Sequence, residues 1–241
     1  MNSLNGLENA KSRLILALDV PNLEAANALL DRVEDQVGVI KIGLELFTSC
    51  GPKAVEEIIR RGYRVFLDLK LHDIPNTVTG AVRAAKSLGV SMLTVHTGGG
   101  LDMLVAAREA ADDNILLLGV TLLTSLGRDD LAPVCIQGEP AAIVARRVEL
   151  AREAGIKGIV CSPKEIIAVR ERIGIQGKIV TPGIRPSGVA TLDQKRAATP
   201  ESAISDGADY LVVGRPISSA SDPSKAANEI VCSIANSLKA K

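Results

Sequence analysis

Residues 64–89 read RVFLDLKLHDIPNTVTGAVRAAKSLG. The first eight, Arg64–Leu71, read as a strand, with apolar and polar residues alternating from Leu67 to Leu71. A short loop with Pro75 follows, then Val78–Leu88 carries apolar residues at helical spacing, and Gly89 stands where a left-handed cap would close that helix. Working outward in both directions, the same strand–helix unit recurs. The other strands read as Arg13–Val20, Val39–Leu46, Ser91–Thr97, Ile115–Leu123, Gly158–Ser162, Lys178–Thr181 and Tyr210–Gly214. Helical runs lie between them, among them Leu23–Val37, Lys53–Arg61, Leu101–Ala111, Ala141–Ala154, Lys164–Ile173 and Ala226–Leu238. Gly62, Gly155, Gly174 and Gly207 close helices as Gly89 does. Eight such units with no break in composition point to an α/β fold of the closed (β/α)8 TIM-barrel type. An open doubly wound sheet is the competing arrangement. It loses support because no GxGxxG follows the first strand and no Walker A sequence occurs.

The chain has 241 residues, 46% apolar, 23% charged and 2% aromatic, with 28 basic and 28 acidic side chains. That length can bury a sizeable core, and the apolar fraction excludes wholesale disorder. Zero net charge and so few aromatic rings argue against a nucleic-acid binder. The four cysteines, Cys50, Cys135, Cys161 and Cys232, form no CxxC pair, and His72 and His96 are the two histidines. No metal site is expected from them, and the cysteines read as small residues of a reducing compartment. MNSLNGLENAKS at the start lacks the apolar core of a signal peptide, and no apolar run approaches the ~20 residues of a membrane span. The expectation is a soluble, cytoplasmic protein with no membrane partner. A single domain over 1–241 is expected, with 1–12 a short N-terminal extension. Residues 182–200 (PGIRPSGVATLDQKRAATP) are expected to be a long loop of the kind that serves as a lid.

Charges sit where a barrel builds its site. In the third strand Leu67, Leu69 and Leu71 share one parity and belong against the helices. Asp68 and Lys70 share the other and point into the mouth, with Asp73 at the rim. Asp19 ends the first strand, and Lys41 interrupts an apolar second strand. Charges in such strands are costly unless paired. An ion-pair network that only fixes barrel geometry is one reading. The other is chemical: a lysine held between carboxylates stays charged and can act as a general acid. A second cluster follows strands seven and eight. Gly214 and Arg215 stand at the barrel top, where barrels often bind phosphate, and Arg185 and Gln194 lie on the long loop. His72 reads as a hydrogen-bonded support more than an acid–base group, and His96 as a core histidine. Gly98–Gly100 could cradle a phosphate or form a simple turn. Thr124 and Ser125 could bond a polar ring.

Asp68-Leu-Lys70-Leu-His-Asp73-Ile74-Pro-Asn-Thr77 resembles the DxKxxDIPNT signature of the orotidine 5'-monophosphate decarboxylase family. LALDV with Asp19, KIG with Lys41, LLTS, TPGIRP with Pro182 and Arg185, Gln194, and VGRPI follow in the family's order. The resemblance implies cofactor-independent, metal-free decarboxylation of orotidine 5'-phosphate to uridine 5'-phosphate, the last step of de novo pyrimidine synthesis. It implies Lys70, Asp68, Asp73 and Lys41 as catalytic residues. Asp19 and Lys41 would meet the ribose, and Thr124 and Ser125 the pyrimidine. Gly214, Arg215 and Gln194 would meet the phosphate, Arg185 would lie on the closing loop, and Ile74 and Pro182 would complete the nucleotide site. It also implies a homodimer in which Asp73 and Thr77 reach into the neighbour's site. The magnesium-dependent sugar-phosphate members that share DxKxxD carry a glutamate ligand where this chain has Lys41.

Overall fold

The computed structural model describes residues 2–186 and 198–239. Eight parallel strands close in sequence order, from β1 to β8 and back to β1. They are β1 (Leu14–Ala17), β2 (Val39–Ile42), β3 (Arg64–Leu71), β4 (Met92–His96), β5 (Leu116–Val120), β6 (Gly158–Val160), β7 (Lys178–Thr181) and β8 (Tyr210–Val213). The helices are α1 (Asn2–Arg13), α2 (Leu23–Val33), α3 (Leu44–Cys50), α4 (Pro52–Arg60), α5 (Pro75–Ser87) and α6 (Leu101–Ala111). They continue with α7 (Pro140–Glu153), α8 (Ile166–Ile173), α9 (Pro200–Asp206), α10 (Arg215–Ser218) and α11 (Pro223–Lys239). Among the described residues no helix is long and apolar enough to cross a membrane.

Strand alternation divides the core in two. Ile15, Ala17, Val39, Phe66, Met92, Leu118, Val180 and Val212 fill the barrel interior. Their neighbours of opposite parity, such as Leu14, Leu16, Ile40, Ile42, Leu67, Leu93 and Leu117, pack in the shell between strands and helices. Each strand is therefore apolar on both faces, as a parallel sheet covered by helices demands. The interior is a packed plug, and barrels of this kind build their sites above it, at the strand C-termini.

Some boundaries differ from the sequence reading. The second strand ends at Ile42, because Gly43 caps α3 and Leu44–Cys50 turn helical. Leu44, Glu45 and Leu46 alternate as a strand would, but one turn of helix buries Leu46 equally well. The first strand is only Leu14–Ala17, which leaves Asp19 on the following loop. The segment 1–12, expected as an extension, is largely the helix α1. Its end crosses the strand-start face, where Arg64 Nη2 donates to the Ser12 carbonyl at 3.0 Å. A Cβ on Gly38 would sit 2.6 Å from the Lys11 carbonyl oxygen, so only glycine lets α1 lie this close. At Gly207 (φ 116°) the predicted cap is present, and its N–H reaches back to the last turn of α9. Within 182–200 the described ends meet through a bridge between Ile184 and Ala198, and Pro200 already opens α9.

Phe66 is the largest fully enclosed side chain of the interior plug. Phe66→Ala is expected to cost about 3–5 kcal/mol of unfolding free energy, measured by chemical denaturation, because the closed barrel cannot collapse around the void.

Candidate active site

Four charged side chains, from β2, β3 and the loop after β1, converge at the mouth. Lys41 is only 8% exposed. Its Nζ lies 2.9 Å from Asp19 Oδ1 and 3.9 Å from Asp68 Oδ2. Asp68, whose side chain is 13% exposed, accepts from Lys70 Nζ at 2.9 Å on each oxygen. The order Asp19–Lys41–Asp68–Lys70 therefore alternates in sign, which is how apolar strands can carry four charges. Gly43 makes room for it: a Cβ there would sit 2.9 Å from Lys41 Nζ and 3.0 Å from Asp19 Oδ1.

The sequence reading expected the inward parity of Asp68 and Lys70, and the structure adds how it is achieved. β3 runs in register with β4 up to Leu67↔Leu93, but the next pair is Leu71↔Val95. Four steps along β3 thus match two along β4, a bulge that re-aims side chains next to a site. Lys70 sits within it at φ 52°, a left-handed conformation that costs a non-glycine residue about 1–2 kcal/mol. The buried Thr94 of β4, which the sequence reading did not single out, accepts from the Lys70 N–H at 2.8 Å and donates to Asp68 Oδ1 at 2.9 Å.

The rim residues lie apart from this cluster. Asp73 accepts from the Ile74 N–H at 2.7 Å, and among the described residues it forms no ion pair. Asp73, Thr77 and Ile74 are all exposed, Ile74 by 67%. Thr124 and Ser125 follow β5 in irregular backbone, half-buried and exposed. Across the mouth β8 pairs with β1, through Leu16↔Val213, so Gly214 and Arg215 stand beside the Asp19 end of the cluster. Arg215 is exposed and Gly214 half-buried. Pro182 is half-buried, and Arg185 is 9% exposed with Nη1 donating to the Ile184 carbonyl at 3.1 Å. Gln194 lies outside the described residues.

His72 is exposed and stacks on His96, with ring centroids 5.1 Å apart and planes at 4°. His96 Nδ1 accepts from the Gly98 N–H at 3.1 Å. Thr97–Gly99 form one short 3-10 turn, and a Cβ on Gly99 would collide with Met103 Sδ. Burial first, then the nearby charges of Arg147, His72 and Lys70, push the His96 pKa down to about 4.

Residues 12–230 match the family described as Orotidine 5'-phosphate decarboxylase / HUMPS family. The chain belongs to this family. It is 50% identical over 235 residues to an orotidine 5'-phosphate decarboxylase of Moorella thermoacetica, covering 94% of this chain and 93% of the other. It is 48% identical over 229 residues to that of Pseudomonas aeruginosa, covering 93% and 98%. The crystal structure of orotidine 5'-phosphate decarboxylase from Lactobacillus acidophilus superposes with a TM-score of 0.83 at 36% identity, covering 92% of this chain and 98% of the other.

The His96 environment predicts an acid limb of stability. The unfolded state takes up a proton below pH 6.5, whereas the folded state resists until about pH 4. Stability contributed by neutral His96 is therefore complete above pH 6.5 and is lost as pH falls toward 4. Denaturant midpoints at pH 7 and pH 4.5 should fall less in His96→Asn than in the native chain.

Proposed function

We propose that this chain decarboxylates orotidine 5'-phosphate to uridine 5'-phosphate and carbon dioxide, the closing step of de novo pyrimidine synthesis. The observation that carries the reading is the Lys70 ammonium held on both oxygens of Asp68 at the barrel mouth, within the family's signature. Loss of carbon dioxide breaks the bond from C6 to the carboxylate and leaves the electron pair on C6. No neighbouring atom can take up that pair, so the site must stabilise it electrostatically. The Lys70 ammonium faces the developing charge and transfers its proton to C6, and the amine is reprotonated from water. Asp68 lies beside the departing carboxylate and keeps Lys70 oriented.

Asp19 and Lys41 hold the ribose, and Thr124 and Ser125 face the pyrimidine, while Ile74 and Pro182 line the nucleotide. Gly214, Arg215 and Gln194 bind the phosphate, and Arg185 belongs to the 182–200 loop that closes on it. Phosphate binding remote from C6 then supplies the energy of closure. The reaction needs no metal or organic cofactor in this reading. Asp19 and Asp68, the carboxylates nearest Lys41, already bond to ammonium groups, and a lysine at position 41 repels a divalent cation. This favours the decarboxylase over the magnesium-dependent branch of the family. The enzyme is placed in the cytoplasm, with no nucleic-acid or membrane partner.

The working unit in this proposal is a homodimer. Asp73 is exposed and unpaired among the described residues of its own chain, beside the exposed Ile74 and Thr77. That loop suits insertion into a second copy's site, where Asp73 would flank Lys70 opposite Asp68.

Loss of absorbance by orotidine 5'-phosphate should proceed equally with and without a chelator. Lys70→Ala should bind uridine 5'-phosphate within about threefold of normal, yet lose at least about 10³-fold in turnover, the upper range of acid–base contributions. Near-normal turnover in that variant, or dependence on magnesium, would overturn the assignment. Mixing Lys70→Ala with Asp73→Ala subunits should restore activity, because a hybrid dimer contains one intact site. No recovery after demonstrated subunit exchange would refute the shared site.

A further inference from the structure

We propose that Thr94 is a positioning residue for the decarboxylation, acting through Lys70 and Asp68 at once; this rests on the function proposed above. Between Leu67 and Leu71 the regular ladder to β4 is interrupted, so backbone groups there lack their usual strand partners. The Lys70 N–H is one of them, and it is bonded not by a carbonyl but by Thr94 Oγ1 at 2.8 Å. A half-buried donor left without a partner would be costly, and the left-handed backbone at Lys70 already stores strain. Thr94 therefore stabilises the very conformation that aims the lysine.

The direction of the second bond follows from the first. A hydroxyl has one proton, and Thr94 Oγ1 receives the backbone proton of Lys70 on a lone pair. Its own proton goes to Asp68 Oδ1 at 2.9 Å. The chain N–H(70) to Oγ1–H(94) to Oδ1(68) has a single polarity. It orients the Asp68 carboxylate, which is the group that holds Lys70 Nζ at 2.9 Å on both oxygens. Lys70 is thus fixed at two points, its amide and its ammonium, through one fully buried side chain. Thr94 lies in the interior-facing series two residues beyond Met92, bonded to Asp68 of the cluster, and it is assigned no contact with substrate.

Thr94→Val keeps the shape and removes the hydroxyl. Loss of a hydrogen bond to a charged group predicts a fall in kcat of about 10- to 100-fold. KM and the dissociation constant of uridine 5'-phosphate should stay within about threefold, since ribose and phosphate contacts are untouched. Thr94→Ser should recover kcat to within about threefold of the native value. A purely structural role would instead lower thermal stability without separating kcat from KM, and serine would recover nothing specific to turnover. If the valine variant does not fold, Thr94→Cys takes its place against Thr94→Ser, because a thiol is a much weaker partner in both bonds. Native kcat in the valine or cysteine variant, or equal loss in the serine variant, would overturn the inference while native activity in the unmodified enzyme leaves the function intact. Absence of activity in the unmodified enzyme would instead refute the function itself.

Discussion

Asp68 is the carboxylate through which the site is organised. It holds Lys70 Nζ on both oxygens, lies 3.9 Å from Lys41 Nζ and accepts the Thr94 hydroxyl. Placing a carboxylate and two ammonium groups above an apolar plug costs desolvation, and such networks rarely add net stability over apolar packing. Alternation of sign keeps that cost tolerable. Removing one partner would leave an uncompensated charge, so these residues constrain one another strongly. In the proposed reaction the arrangement is understandable as chemistry: a positive charge held on Asp68 at the barrel mouth would face the carbanion as it forms.

The barrel builds this arrangement on neighbouring strands. β1, β2 and β3 carry Asp19, Lys41, Asp68 and Lys70 on or just past adjoining strands. β8 adjoins β1 and sets Gly214 and Arg215 on the same rim. In the proposed reaction a nucleotide would span from the charged cluster to Gly214 and Arg215 along this edge. The glycine at 43 and the bulge at Lys70 are the two local departures from regular packing that make the geometry fit.

Much of this was legible in the sequence where periodicity was strict. Arg64–Leu71 and Lys178–Thr181 were read with their observed limits, because each is a short apolar-rich run that begins just after a glycine, Gly62 or Gly177, and ends before a proline, Pro75 or Pro182. The inward parity of Asp68 and Lys70 was legible for the same reason. Leu44–Leu46 misled because one turn of a short helix mimics alternation, and α1 went unread because Ala10 is its deeply buried apolar residue in a polar segment. Thr94 was invisible for a different reason. Threonine is an ordinary strand former, and its two bonds exist only because β4 lies beside a β3 whose register has slipped. Asp73 was identified as a rim carboxylate, and it is exposed in the structure.

The central claim is that Lys70 meets C6 of the pyrimidine while anchored to Asp68. A crystal structure of the enzyme with a 6-substituted uridine 5'-phosphate inhibitor tests it most directly. The account predicts Lys70 Nζ within about 3.2 Å of the C6 substituent, with the Asp68 contact retained. A bound nucleotide whose C6 lies several ångström beyond the reach of that ammonium would contradict it.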